Sequence, residues 1–506
     1  MGFSERNGGS GVVAALGAQA SCLHWGRRHP ACLSRFLNPS LSVCQLFFCA
    51  SPRKIPFMDR RQFLQATSAA MIGASFAQAK ARPNIVLVLA DDLGYGDLGC
   101  YGQKRTRTPN LDKIAAEGIR FTQAYAGSTV CAPSRCCLMT GLHTGHSRTR
   151  GNRSPDLPLR PEDMTVTELL KRAGYRTGLF GKWSLGELGS TGYPLRKGFD
   201  EWFGFFSQLH AHNYYPEHLL DNETAYLLRG NMGTKRTEYA PDLFTEHALK
   251  FIEKEDDRPF FLHVCYTNPH ANNEMGRDTG DGMEVPSHAP YESESWPKPE
   301  KGFAAMITRM DRDVGRILQS LKSRGLDRNT LVIFTSDNGP HKEGGHDPNF
   351  FSSSGPLRGI KRDLYEGGIR VPALAFWPGT IAPGQVSDQV WAFWDVLPTL
   401  AELGGVSIPA GLDGRSVVPA FSGKKLPEHD FLYWEFHERN FGQAVRIGDW
   451  KAVRPVPNQP VELYNLAEDV SETKNVAARH PDIVKKATDL FRTARTESEF
   501  WPVKGT

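Results

Sequence analysis

Beyond residue 81 the sequence has no apolar run long enough to cross a bilayer, which argues against an integral membrane segment there. Net charge is also missing from the body of the chain. Residues 1–57 hold six Lys/Arg and one acid, so residues 58–506 carry 54 basic and 55 acidic side chains, a balance of −1. A body so nearly neutral offers no electrostatic footprint for nucleic acid. No internal repeat is present. Cysteine is poorly distributed for a disulfide framework. Four of the nine (Cys22, Cys32, Cys44, Cys49) fall in the first 57 residues, and the five that remain cannot all pair internally. Disorder is not the default either, because 40% hydrophobic and 23% charged residues is globular composition.

What is present is enough chain for one large domain and a smaller one, 506 residues in all. The first 57 residues, rich in Gly, Ser and Ala and without sustained period, read as a non-native or disordered extension, with Met58 as the expected start. Residues 58–81, "MDRRQFLQATSAAMIGASFAQAKA", have a charged start, an apolar middle and small residues at the end. That is the layout of an export signal of twin-arginine type, so a periplasmic or extracellular location is expected.

From Pro83 strand and helix signals alternate, which predicts an α/β fold with a mostly parallel mixed sheet flanked by helices. "NIVLVLADD", "RPFFLHVCYTNPH" and "NTLVIFTSDNG" are apolar runs of the kind buried on both faces. "YRTGLFGKW" and "VPALAFWPG" add shorter strands. "TVTELLKRAG" and Phe303–Arg324 carry helical spacing, and each ends at a glycine. Residues 270–300, rich in Gly and Pro, read as a long loop. After about Leu426 the texture changes to short strands and a closing helix. We therefore expect a catalytic domain over 82–425 and a small antiparallel sheet plus helix over 426–506.

The polar residues gather at strand exits, where open parallel sheets bind ligands. Asp91 and Asp92 follow one strand and Asp337 and Asn338 another, while Lys182 and His270 follow two more. An Asp-Asp pair after a strand is usually a cap or turn. Two acidic pairs with cations nearby shift the balance toward a hard divalent cation, Ca²⁺ or Mg²⁺. "TVCAPSRCCLMTG" adds Cys131 at a predicted helix start, with Pro133 as its first helical residue and Arg135 one turn on. A helix N-terminus favours an anion or thiolate, although a buried thiol beside a cap fits these residues equally well. Cys136 and Cys137, further along the helix, read as small packing residues.

"CAPSR…LMTG", "LADDLGYGDLGCYG", "TPNLDKIAAEGIRF", "GKW", "SDNG", "LRGIKRDLYEGGIRVPALAFWPG" and "ELYNLAEDVSETKNVA" occur in that order. This set resembles the formylglycine-dependent sulfatases of the alkaline-phosphatase-like superfamily, in particular arylsulfatase A-like members. The resemblance implies that a formylglycine-generating enzyme converts Cys131 to formylglycine (3-oxoalanine). It also implies Ca²⁺ held by Asp91, Asp92, Asp337, Asn338 and residue 131. Arg135, Lys182, His270 and Lys361 match family positions that bind the aldehyde hydrate or the sulfate, with His270 as general acid. The implied reaction is hydrolysis of sulfate monoesters on sulfated polysaccharide fragments. Phosphonate monoester or phosphodiester hydrolysis and an inactive glycan-binding relative are the alternatives.

One departure matters. The family often has histidine two residues after the strand-exit lysine, and this chain has Ser184, a poor base at its ordinary pKa. His212, in "SQLHAHNYYPEH", is the candidate replacement, with His210 the more structural of the two. The loop "GPHKEGGHDPNFF" places His341, Lys342, His346 and Asp347 before Lys361. We expect His346, Asp347 and Ser184 to contact substrate.

Overall fold

The structure, a computed structural model, describes residues 82–503 except Arg439. The expected extension and export signal lie outside the described residues. Eleven strands form the large sheet: β1 (Asn84–Asp91), β2 (Ile119–Tyr125), β3 (Arg176–Gly181), β4 (Glu201–Gly204), β5 (His218–Asp221), β6 (Thr224–Leu227), β7 (Phe260–Pro269), β8 (Thr330–Ser336), β9 (Arg370–Phe376), β10 (Gln385–Ser387) and β11 (Trp391–Ala392). Their order is β10-β2-β9-β8-β1-β7-β3-β4-β5-β6, with β11 also paired to β2. The centre, β8-β1-β7-β3-β4, is parallel throughout. β9 runs antiparallel to both β8 and β2, which makes the sheet mixed.

Side-chain alternation explains why β1 is apolar without interruption. Ile85, Leu87 and Leu89 enter one core, and Val86, Val88 and Ala90 enter the core on the opposite face. Helices Pro109–Glu117, Ala240–Glu253 and Lys298–Ser323 cover the second face through residues such as Leu111, Phe244 and Phe303. Helices Cys131–Thr140, Val166–Arg172 and Val396–Leu403 cover the first through Leu138, Leu170 and Leu397. A capping box, Thr165 with Glu168, starts the second of these. The segment 270–300 is not wholly loop. It contains the helix Asn273–Thr279, started by the Asn272 side chain accepting from the Met275 N–H.

β12 (Leu432–Phe436), β13 (Gly442–Ile447), β14 (Trp450–Arg454) and β15 (Glu462–Asn465) form a separate antiparallel sheet in sequential order. Tyr433, Val445 and Leu463 pack under helix Pro481–Thr493 through Ala487 and Phe491. The other face, with Trp434, Phe436 and Ala444, packs on Val130 and Cys137 beside the start of helix Cys131–Thr140. Lys451 is wholly buried here, 2.9 Å from Glu366 and 3.4 Å from Glu472.

Candidate active site

β1 and β8 deliver their acids side by side. The Asp337 N–H donates to the Ala90 carbonyl at 3.1 Å, and the Asp92 N–H donates to Asp337 Oδ1 at 3.1 Å. Next to β7, β3 ends at Gly181, whose φ is +116°. A Cβ there would lie 2.0 Å from the Cys265 carbonyl oxygen, so only glycine lets the chain turn and present Lys182. Lys182 Nζ then reaches Asp91 Oδ2 at 2.7 Å. Burial opposes ionisation of Asp91, but Lys182, His270 and Arg135 overcome it and hold its carboxyl well below the usual range.

Helix Cys131–Thr140 enters this group at its first turn. Its Ala132 N–H, which lacks an intrahelical acceptor, donates to Asn152 Oδ1 at 3.0 Å. Pro133 is the third residue of the helix rather than the first. Its missing N–H costs nothing there, because first-turn amides have no partner within the helix. Arg135 grips Asp337 through two nitrogens at 2.8 and 3.0 Å and donates to the Lys182 carbonyl at 2.9 Å. Cys131 Sγ lies 3.2 Å from Asp91 Oδ1 and is inaccessible to solvent. Burial, reinforced by Asp91, pushes its thiol well above the ordinary value, so residue 131 is a neutral thiol and not a thiolate. The helix dipole is outweighed here by desolvation and by carboxylates from other strands. Cys136 and Cys137 are buried in two different cores.

Opposite stand Lys361 and two imidazoles. Lys361 Nζ lies 2.7 Å from Asp92, 3.0 Å from Glu343 and 3.2 Å from His270 Nε2. His270 Nδ1 donates to the Ala271 carbonyl at 2.7 Å, which leaves the Nε2 lone pair toward Lys361. Burial and the Lys361 charge push this imidazole down to about 3. The His212 ring stacks on His270 with centroids 5.0 Å apart, and its Nδ1 bonds Glu274 Oε2 at 3.0 Å. Burial and Lys182 lower the His212 pKa, while Glu274 resists that shift. A cavity of ≈ 470 Å³ opens over His212, His270 and Lys361. Asp92, Ser184 and Arg362, three of the six non-glycine residues with positive φ among the described residues, lie at the site (65°, 70° and 76°).

Several expected contacts resolve differently. His346 is buried, its Nδ1 2.6 Å from Glu300 and its ring stacked 3.7 Å from Phe303. Asp347 caps the short helix Pro348–Phe351, accepting from the Asn349 N–H at 3.1 Å. Both therefore serve the loop's own packing rather than the cavity wall. Ser184 donates its hydroxyl to Gln208, a residue that lines the cavity, and is itself buried. Glu343, Glu274, Gln208 and Asn152 were not singled out from sequence. Glu343 had the clearest signal, since it stands between His341 and His346 in the loop before Lys361.

The donors suit the divalent cation that the resemblance implies. Asp91, Asp92, Asp337 and Asn338 are all fully buried, and Asn338 Oδ1 has no hydrogen-bond partner. Burial, with the neighbouring Asp91 charge, pushes Asp337 up to about 7. A cation among these hard oxygens would relieve both conditions. Asp91, Asp92, Cys131 and His270 also place one donor atom each within 4.8 Å of one another.

The sulfatase family model matches residues 83–406, and an N-sulphoglucosamine sulphohydrolase C-terminal model matches residues 360–495. N-acetylgalactosamine-6-sulfatase of Canis lupus familiaris is 34% identical over 470 residues, covering 87% of this chain and 85% of its own. Human arylsulfatase A is 34% identical over 482 residues, covering 83% and 89%. The crystal structure of Ps i-CgsB in complex with k-i-k-neocarrahexaose superposes with a TM-score of 0.70 at 29% identity, covering 82% of this chain and 92% of that one. The strand-exit carboxylates, the helix opening at residue 131 and these matches over most of the length agree. The chain belongs to the sulfatase family and is a sulfuric ester hydrolase of alkaline-phosphatase-like fold.

Proposed function

We propose that the protein hydrolyses sulfate monoesters on sulfated carbohydrates, with residue 131 carried as formylglycine. The observation that carries this reading is residue 131 itself, buried at a helix start and 3.2 Å from Asp91. It lies where a nucleophile is needed, yet as a thiol it is held neutral. The formylglycine hydrate would supply two hydroxyls on one carbon, one to attack sulfur and one whose deprotonation releases sulfate. Ca²⁺, held by Asp91, Asp92, Asp337, Asn338 and residue 131, would polarise the sulfate oxygens.

The chain's own groups have the remaining roles. Lys182 and Lys361 are ammonium groups on either side of the carboxylates, placed to neutralise an incoming sulfate. Arg135 fixes Asp337 and the Lys182 carbonyl, and so holds the helix start against the strand exits. His270, with its Nε2 lone pair toward Lys361, holds no proton to give, so Lys361 rather than His270 is the proton source for the leaving oxygen. His212, with Glu274 behind it, takes the hydrate proton that Ser184 is ill suited to take. The chemistry also requires a formylglycine-generating enzyme as partner and fits an exported protein. No helix of the described residues is long and apolar enough to cross a membrane.

Parallel assays on sulfate, phosphate and phosphonate esters test the reaction class, with sulfate turnover expected to dominate. Mass spectrometry of the peptide spanning residues 120–140 from native material tests the modification. An unconverted Cys131 in active protein overturns the formylglycine step, and dominant phosphonate or phosphodiester turnover overturns the sulfatase assignment.

A further inference from the structure

The outer wall of the cavity contains a cation that the proposed chemistry does not use. We propose that Arg153 binds a second anionic substituent of the substrate, a carboxylate or sulfate on the sugar next to the one being desulfated. The proposal rests on the sulfatase reading and extends it to substrate class.

The cavity that exposes His270 and Lys361 is also lined by Arg153, Arg362, Glu438 and Leu209. Charge on this wall is unevenly matched. Lys361 faces Asp92 and Glu343, and Arg362 faces Glu343 at 2.7 Å and Glu438 at 3.5 Å. Arg153 has no carboxylate within 4.0 Å among the described residues. Its guanidinium carbon lies 5.5 Å from the centre of the Phe500 ring, which Arg148 also approaches at 4.4 Å. Packing against an aromatic ring limits the orientation of the guanidinium while leaving its edge N–H groups free. That edge is the one that meets a carboxylate or sulfate in a forked pair.

The position of Arg153 is tied to the reacting centre. Its neighbour Asn152 accepts from the Ala132 N–H at 3.0 Å, next to residue 131, and donates its own N–H to Glu438 Oε1 at 2.8 Å. One residue thus braces the Arg153 loop against both the catalytic helix and the C-terminal region. Asn152 therefore ties the backbone that carries Arg153 to the reacting centre. Leu209, 52% exposed on the same wall, offers an apolar contact for the C–H face of a sugar ring.

The test compares wild type, Arg153→Gln and Arg153→Lys on four substrates. These are 4-nitrophenyl sulfate, a monosulfated disaccharide with no other charged group, the same disaccharide with a uronate carboxylate, and a disulfated disaccharide. Wild type should prefer at least one of the two doubly charged disaccharides, and which one it prefers identifies the anion. Arg153→Gln should raise KM for the preferred substrate about five- to tenfold with kcat unchanged, and should leave KM for the two singly charged substrates alone. Arg153→Lys should recover part of the loss. Arg153 is exposed, so neither variant threatens folding. Hydrolysis of 4-nitrophenyl sulfate with no preference for either doubly charged disaccharide overturns the second subsite alone. An equal KM change on all four substrates does the same. No sulfate release from any substrate overturns the sulfatase reading beneath it.

Discussion

Replacement of His212 by alanine tests the mechanism at the point where this chain departs from its family. Its side chain is 13% exposed, with Nδ1 3.0 Å from Glu274 Oε2. A carboxylate can only accept, so Nδ1 carries the proton and Nε2 keeps its lone pair. Burial and Lys182 hold the imidazole below its ordinary value of 6.5, hence neutral at pH 7. A base of this kind contributes about 10²–10⁴ in rate, equivalent to about 3–5 kcal/mol of barrier. His212→Ala should therefore lower kcat for 4-nitrophenyl sulfate by that factor. Only the unprotonated base works, so wild-type kcat should rise with pH through the His212 pKa. That limb lies on the acid side of 6.5 and should be missing from His212→Ala. Glu274 raises the His212 pKa, so Glu274→Gln should move the limb to lower pH. Because Glu274 is 45% exposed, the accompanying loss in kcat is expected to be only about two- to fivefold. A His212→Ala enzyme with wild-type kcat and an unchanged acid limb would refute the assignment.

Four further outcomes are expected. Cys131→Ser should abolish multiple turnover, because serine lacks the second hydroxyl, and steady-state assays at wild-type rates would contradict that. Chelation should lower both activity and melting temperature, with Ca²⁺ restoring them. A ligand at 100 times its Kd adds about 2.7 kcal/mol, which calorimetry resolves. Lys451→Met should cost about 3–5 kcal/mol in urea unfolding, since it leaves buried Glu472 without a cation and Glu366 with only Arg370. His346→Ala should cost about 2–3 kcal/mol through the lost Phe303 stacking and an unpaired Glu300 Oε2, with the Asp347 N–H still on Oε1, while KM stays unchanged.

Much of the strand-exit cluster could be read directly from the chain. Asp91, Asp92, Lys182, His270, Asp337 and Asn338 each follow a short apolar run. In an open parallel sheet such exits converge, whatever the loops do. The C-terminal sheet was legible for a similar reason, since short alternating runs with turn residues between them leave few other folds. Packing between distant loops was not legible. His212 meets Glu274 from 62 positions away, Lys361 meets Glu343, and Asn152 meets Ala132; no period or spacing encodes such pairs. His346 shows the same limit from the other side. Its polar loop suggested substrate contact, but Phe303 and Glu300 fold over it.

Residue 131 divides the two kinds of information most sharply. Local sequence placed it at a helix start, and its conversion was implied only by the family resemblance. Helix position alone also favoured a thiolate. The folded protein reverses that preference by removing water and bringing Asp91, Asp337 and Asp92 close to the sulfur. Helix position is a short-range property that neighbouring residues determine. Desolvation and the field of distant carboxylates are sums over the whole fold, and they exist only once the strands have come together.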